Sequence, residues 1–237
     1  MGNLKTLAAC AALALVAPAA ANAAFTYHAP SGLAPGSHYV LAFVTTGTID
    51  ATSPNITTYN DFVQSEAALS PSLPATTWMP LVSTSDSSVF QAFFNNCLEC
   101  LSAPVYLITE ERVATTEVAI FNVVSHPVLH AINVTQDGEA KLTPTGSPIA
   151  WTGTDFAFNS VTRQMGSSAP FVGNYQRADS LLVQVGAKPT SLHLPLYAFS
   201  GLLTAPASVP EPATWALMLA GLVAVGTAMR RRTLVAT

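Results

Sequence analysis

The sequence predicts an α+β domain with a mainly antiparallel sheet and one or two helices. Three observations support this class. A continuous apolar run at residues 39–44 is typical of a buried strand, and apolar residues recur at helical spacing within residues 53–70. Several short apolar segments then follow between loops rich in Ser, Thr, Gly and Asn, which favours a sheet of short strands beside an early helix.

The early helix is predicted to begin at Ser53 as its N-cap, with Pro54 in the first helical position, and to end before Pro71. Its apolar face is formed by Ile56, Tyr59, Phe62, Val63 and Ala67. Further strands are predicted at residues 78–82, 105–108, 129–134, 149–151, 181–185 and 192–199, the last with Pro195 at a sheet edge. A short second helix is predicted at residues 116–124.

The first 23 residues have the organisation of a secretory signal peptide, which we expect to form a signal helix. Lys5 precedes an apolar stretch at residues 7–16, and the small residues Ala21 and Ala23 precede Ala24. Signal peptidase is therefore the expected partner, and the mature chain is predicted to start at Ala24. Cys10 could instead be a lipoprotein cysteine, but too few apolar residues precede it for that reading.

The other end of the chain combines a short motif, an apolar span and a basic cluster. The motif is Val209, Pro210, Glu211 and Pro212, and the cluster is Arg230, Arg231 and Arg232. Between them, residues 213–229 contain no charge and are just long enough for a transmembrane helix. The arginines would stop transfer and leave residues 233–237 as a cytoplasmic tail, with residues 24–208 outside the cytoplasm as an ectodomain.

This order of motif, span and basic cluster resembles the PEP-CTERM sorting signal, here at residues 209–232. The resemblance implies an inner-membrane intermediate, cleavage by an exosortase-like membrane protease, and then a place at the cell surface or outside the cell. It also implies an envelope linked to exopolysaccharide and biofilm. The prolines beside Glu211 favour processing because they keep the segment extended and open to a protease. A permanent single-pass anchor is the alternative.

The ectodomain itself resembles C-type-lectin-like domains, including the endostatin branch. The resemblance lies in the order of residues 39–45, 59–63, 104–107, 151–154 and 196–201. It implies a first strand leading to a helix and a later sheet that contains Trp151. The calcium-binding motifs Glu-Pro-Asn, Gln-Pro-Asp and Trp-Asn-Asp are missing, so the resemblance does not extend to calcium-dependent sugar binding, and Trp151 is expected to pack in the core.

Charge and composition restrict the partners of the ectodomain. All of the 13 acidic residues except Glu211 lie in it, against five basic residues, which gives a net charge of about −7. The basic residues are Arg112, Lys141, Arg163, Arg177 and Lys188. Nucleic acid is excluded as a partner because phosphate binding requires clustered Lys and Arg.

Few residues of the ectodomain are candidates for a disulfide, a metal site or a catalytic carboxylate pair. Cys97 and Cys100 are expected to form a local disulfide in an oxidising compartment. His126 and His130 have a spacing used by zinc ligands, but Pro127 between them argues against a helix and a metal site. Asp137 and Glu139 flank Gly138, which is typical of a solvated turn.

No nucleophile elbow, phosphate-binding loop or dinucleotide motif occurs in the sequence. We therefore expect a protein that is not an enzyme and needs no cofactor, and that organises or binds exopolysaccharide at the surface. An extracellular hydrolase acting on glycans is the second hypothesis, because two carboxylates that are distant in sequence could still pair across a cleft.

Overall fold

The computed structural model describes residues 25–120, 128–141, 147–156, 162–207 and residue 222. Its strands are β1 (His38–Val44), β2 (Trp78–Pro80), β3 (Val105–Leu107), β4 (Arg112–Ala114), β5 (Ile149–Trp151), β6 (Phe171–Asn174), β7 (Gly186–Ala187), β8 (Tyr197–Ser200) and β9 (Leu203–Thr204). Its α-helices are α1 (Ile56–Ala68), α2 (Val89–Asn96) and α3 (Glu117–Ile120), and two short 3-10 helices lie at Leu98–Ser102 and Ser180–Leu182. The predicted α+β class is confirmed.

Strand β1 is the centre of a six-stranded sheet with the order β2–β8–β1–β3–β4, and β9 also pairs with β1. One edge of β1 pairs in parallel with β3, and the other pairs antiparallel with β8. The side chains of residues 40–44 are 0% exposed. Both faces of β1 are therefore covered, as its continuous apolar run predicts.

A bulge interrupts the pairing along the second edge of β1. Ala42 pairs with Phe199 in β8, whereas Tyr39 pairs with Leu203 in β9, so three residues stand opposite two. Ser200 lies in the bulge, and its Oγ accepts a hydrogen bond of 2.9 Å from the backbone N–H of Leu41. The hydroxyl of Ser200 thus replaces the backbone acceptor that the ladder lacks there, and β9 is a separate element from β8.

A second sheet has three strands in the order β5–β6–β7. Trp151 at the end of β5 joins it to the main sheet. The backbone N–H of Trp151 donates to the carbonyl of Pro195 at 3.0 Å, and its indole Nε1–H donates to the carbonyl of Ile49 at 2.9 Å. The side chain is 0% exposed, so the expectation that Trp151 packs in the core is confirmed.

Helix α1 begins two residues later than the sequence predicts. Asn55, not Ser53, is the N-cap, because its side chain accepts a hydrogen bond of 3.0 Å from the backbone N–H of Thr57. Ser53 instead contacts the hydroxyl of Thr58 and the backbone N–H of Asn55. The predicted apolar face is confirmed in part, since Tyr59, Val63 and Ala67 are buried and Ile56 and Phe62 pack partly against the core.

The strand predicted at residues 129–134 is wrong. Within it only Val134 makes a bridge, to Ala140. The backbone groups of this segment form hydrogen bonds with different parts of the chain. Leu129 donates to the carbonyl of Val113, and the carbonyl of Val134 accepts from the backbone N–H of Val44. Apolar residues here serve separate contacts and do not form one ladder.

The strand predicted at residues 181–185 is also wrong. The carboxylate of Asp179 accepts from the backbone N–H of Leu181 at 3.0 Å and starts the 3-10 helix Ser180–Leu182. The strand predicted at residues 192–199 is confirmed only for the part that forms β8, since Leu194 makes an isolated bridge to Ile49.

The described part of the chain has three α-helices, where one or two are predicted. Helix α2 is the additional one, and α3 occupies the described part of the helix predicted at residues 116–124. The predictions at residues 78–82, 105–108 and 149–151 are confirmed by β2, β3 and β5, whereas the sequence does not predict β4, β6, β7 or β9. The resemblance to C-type-lectin-like domains stays a prediction.

Replacing the bulge hydroxyl tests its role in the sheet. Ser200→Ala leaves the buried N–H of Leu41 without its acceptor, which should lower the free energy of unfolding by about 1–3 kcal/mol. Chemical denaturation measures this loss. Ser65→Ala is the matched control, because the Ser65 hydroxyl is exposed and bonds only within its own helix turn. Equal stability of the two variants would contradict the role of the Ser200 hydroxyl as the acceptor for Leu41.

Candidate functional site

The described residues nearest to the predicted signal-peptidase site pack against the domain. The ring of Phe25 lies against Gly138, where a β-carbon would collide with it. Two residues further on, the hydroxyls of Tyr27 and Tyr39 are 2.7 Å apart and hydrogen-bonded. The first residues of the predicted mature chain are therefore part of the packed domain. The predicted signal peptide at residues 1–23 lies outside the described residues.

The domain closes only a few residues before the C-terminal motif. Ala205 follows β9 and is 5% exposed, and its backbone donates to the carbonyl of Ser37 at 2.8 Å and accepts from Gly36 at 3.0 Å. Pro206 and Ala207 are exposed. Val209, Pro210, Glu211 and Pro212 lie outside the described residues, as do Arg230, Arg231 and Arg232.

The predicted transmembrane helix at residues 213–229 also falls outside the described part of the chain, apart from Leu222. Across the residues that are described, no helix combines the length and the apolar character needed to cross a membrane.

Cys97 and Cys100 are joined by a disulfide, with their Cα atoms 5.2 Å apart. The pair lies where α2 meets the 3-10 helix Leu98–Ser102, rather than in an open loop. The backbone N–H of Cys100 donates to the carbonyl of Cys97 at 3.1 Å, which closes a tight turn. Cys100 is 0% exposed and Cys97 is half-buried, so the bridge fixes the direction of the chain between these two helices.

The candidate metal and carboxylate sites of the sequence are not brought together. His126 lies outside the described residues, and His130 is exposed. Within the described ranges, no group of three or more His, Cys, Asp or Glu could hold a metal ion. Asp137 and Glu139 are exposed on either side of Gly138, whose backbone N–H donates to the carbonyl of Thr135 at 2.9 Å. The predicted turn is confirmed.

A buried polar cluster that the sequence does not reveal lies at the end of β1. We call Glu66, Gln136 and Lys141 the Glu66 cluster. A carboxylate oxygen of Glu66 accepts from the backbone N–H of Gly47 at 2.6 Å and from the side-chain amide of Gln136 at 3.2 Å. A β-carbon at residue 47 would collide with this carboxylate, so any larger residue there would have to displace the Glu66 side chain.

Lys141 completes the cluster by binding the chain as it leaves β1. Its ammonium donates to the carbonyl of Thr45 at 2.7 Å and to the carbonyl of Thr46 at 2.9 Å. Burial lowers the pKa of Lys141, while the charge of Glu66 acts in the opposite direction. The cluster joins α1, the exit of β1 and the turn at residues 133–141, which are far apart in sequence. Its role is structural, because its polar groups bind one another and the backbone.

Glu117, at the start of α3, is a buried carboxyl group. Its side chain is 0% exposed, and neither carboxyl oxygen has a hydrogen-bond partner among the described residues. Burial raises the pKa of Glu117 from 4.5 to about 8. The backbone N–H of Glu117 donates to the carbonyl of Ala103 at 2.9 Å, which holds α3 against the segment that follows the disulfide.

The C-terminal segment with the predicted motif follows directly after the packed end of the domain. Residues 208–232 match the family model described as the PEP-CTERM protein-sorting motif. The chain is a PEP-CTERM protein. The matched segment begins one residue before the motif predicted from the sequence and includes Arg230, Arg231 and Arg232. No curated protein matches the chain.

A PEP-CTERM protein is exported and is processed at the membrane by an exosortase, a membrane protease-like enzyme. In this PEP-CTERM protein, the matched segment starts three residues after Ala205, the last buried residue of the domain. The sorting signal and the folded domain are therefore immediate neighbours along the chain.

Removing the ammonium of the Glu66 cluster tests its structural role. Lys141→Met leaves the carbonyls of Thr45 and Thr46 without their donor, which should lower the free energy of unfolding by about 2 kcal/mol. Lys188→Met is the matched control and should change it by less than about 0.5 kcal/mol. Denaturant titration measures the loss of unfolding free energy in each variant. Equal losses would contradict the role given to Lys141.

Glu117 should make the domain less stable at alkaline pH. Because the pKa of Glu117 is higher in the folded chain than its usual 4.5, the folded state binds the proton more tightly. The contribution of Glu117 to the free energy of unfolding should therefore be greatest below pH 4.5 and fall up to about pH 8, by on the order of 5 kcal/mol.

Glu117→Gln should remove this slope, because glutamine stays neutral over the whole range. Thermal or denaturant unfolding from pH 4 to 9 measures the slope in both proteins, and their difference isolates Glu117 from the other titrating groups. An identical slope in both would show that the carboxyl is not buried as the structure places it.

Proposed function

We propose that this PEP-CTERM protein is a noncatalytic surface or extracellular-matrix protein that associates with exopolysaccharide in a biofilm. In this proposal, signal peptidase releases the chain at Ala24, and residues 213–229 hold an intermediate in the inner membrane. An exosortase then cleaves at the motif, and the ectodomain reaches the cell surface or the medium. The observation that carries the proposal is the sorting motif at residues 208–232, directly after a packed domain.

Two described pockets bear on the alternative of a glycan hydrolase. One pocket, of about 200 Å³, lies at the end of α1 and includes Gln64, Thr76 and Trp78. Another, of about 310 Å³, lies beside Arg163. Neither is lined by a carboxylate, and both are small or at the lower end for sites that enclose a ligand, which occupy roughly 300–1,000 Å³. Glycan hydrolysis by two carboxylates across a cleft gains no support from them.

The charge of the ectodomain restricts the kind of polysaccharide it would bind. A net charge of about −7 repels an anionic polymer, and the described basic side chains include Lys141, which is engaged in the Glu66 cluster, and Arg177, which pairs with Asp179. Binding to a neutral polysaccharide would instead depend on hydrogen bonds from the many Ser, Thr and Asn side chains. Such binding should be nearly independent of ionic strength.

Retention of the protein on exopolysaccharide tests the proposal. Protein recovered from the surface or medium of its host should be retained on immobilised neutral polysaccharide from the same host, and retention should persist in 1 M salt. A matched column carrying an unrelated neutral polymer such as dextran is the control. Passage of the protein through every host polysaccharide column would contradict the proposed association, and release of glycan fragments would favour the hydrolase instead.

A further inference from the structure

The pocket of about 200 Å³ at the end of α1 is built by segments that the fold holds in place. Part of its lining comes from the last two turns of α1, and much of the rest from residues 70–76, which lead from α1 to β2. Pro71 and Pro74 lie in this connection and fix the backbone φ angle at two of its positions. The lining is therefore largely preformed, which lowers the entropy cost of binding a ligand there.

Trp78, at the start of β2, anchors the lining. Its side chain is 2% exposed, and its ring lies against Phe43 of β1 with the ring centroids 4.9 Å apart. The backbone N–H of Trp78 donates to the side-chain carbonyl of Gln64 at 2.9 Å, which joins α1 to β2 beside the pocket. The core and the helix thus fix the position of these two lining residues.

Three neutral polar side chains line the pocket. The side-chain amide of Gln64 donates to the carbonyl of Thr76 at 3.4 Å, and an amide group has a second N–H to donate. Ser70 is 5% exposed, and its hydroxyl makes a long contact of 3.5 Å with the hydroxyl of Ser72. Thr76 is half-buried and contributes a second hydroxyl. Groups that can donate and accept hydrogen bonds are therefore spread over the lining.

The rest of the lining indicates the charge and size of the ligand. None of the described lining residues is charged, so an anionic or cationic ligand would lose its hydration without gaining a counter-charge. Pro71, Leu73 and Pro74 supply apolar surface. A neutral sugar ring matches both features, because its C–H groups contact apolar surface while its hydroxyls donate and accept. One ring is smaller than the drug-sized ligands that occupy larger pockets.

We propose that this pocket binds one neutral sugar ring at the end of a polysaccharide chain. Gln64, Ser70 and Thr76 hold the hydroxyls of the ring, and the prolines contact its C–H groups. The remainder of the polysaccharide extends into solvent, because the pocket has room for one ring. This inference rests on the proposed function, since it names the site at which the domain holds exopolysaccharide.

Filling the pocket from an exposed position tests the inference. Ala75 is exposed and lines the pocket, so Ala75→Trp should occupy the space without disturbing the core. This variant should bind immobilised neutral polysaccharide from the host at least about tenfold more weakly than the wild type. Ala34→Trp adds the same side chain at an exposed position outside the lining and should bind as the wild type does. Equal binding by the two variants would overturn the site.

A smaller change within the lining provides a second test that does not depend on the filled variant. Ser70→Ala removes one buried hydroxyl and should weaken binding about three- to tenfold. Ser72→Ala removes the other partner of the 3.5 Å contact, which is not a lining residue, and should leave binding unchanged. Equal losses in the two variants would assign the effect to the contact between the serines and would contradict a role of Ser70 in the pocket.

Free sugar distinguishes binding of one ring from binding along an extended chain. Monosaccharides released by hydrolysis of the same polysaccharide should displace the wild-type protein at about 100 mM, because one ring fills the pocket. Failure of all of them to displace it would overturn the inference. A retained wild type that Ala75→Trp leaves unaffected overturns the pocket alone. A wild type that no neutral host polysaccharide retains contradicts the proposed function, and the inference falls with it.

Discussion

Strand β1 can be buried on both faces only because other strands satisfy its backbone along both edges. β3 supplies the parallel edge after a crossover that contains α1, β2 and α2, and β8 and β9 supply the opposite edge from the end of the domain. The beginning and the end of the ectodomain therefore meet at one strand. Where the ladder is interrupted, the hydroxyl of Ser200 replaces the missing acceptor. This arrangement explains why the domain closes at Ala205, directly before the sorting motif.

Those elements that depend on local pattern are readable from the sequence. The apolar run of β1 and the helical spacing of α1 are such cases, although the side chain of Asn55 moves the start of α1 beyond Pro54. The wrong strands at residues 129–134 and 181–185 have apolar residues in suitable numbers, but their backbone groups bind distant partners or a capping carboxylate. β9 is too short to leave a pattern, since its two residues are defined by their partner in β1.

Features of the candidate site also differ in whether a local sequence pattern reveals them. The sorting signal is contiguous, so its motif, span and arginines are recognisable from the order of residues alone, and the family match covers the same segment. The Glu66 cluster joins residues as much as 96 positions apart, and only the fold brings them together. Glu117 gives no signal in the sequence because its burial depends on how α3 packs. Long-range contacts of this kind leave no local pattern.

The proposed function requires that the folded domain of this PEP-CTERM protein be released by cleavage at two sites. Intact mass of the protein, recovered separately from the host's membrane and from its surface or medium, tests this claim most directly. We expect a surface or medium species that starts at Ala24 and ends near Pro210, with residues 230–237 present only in a membrane intermediate. Protein found solely in the inner membrane, with residues 230–237 still attached, would contradict the claim and make the chain a permanent anchor.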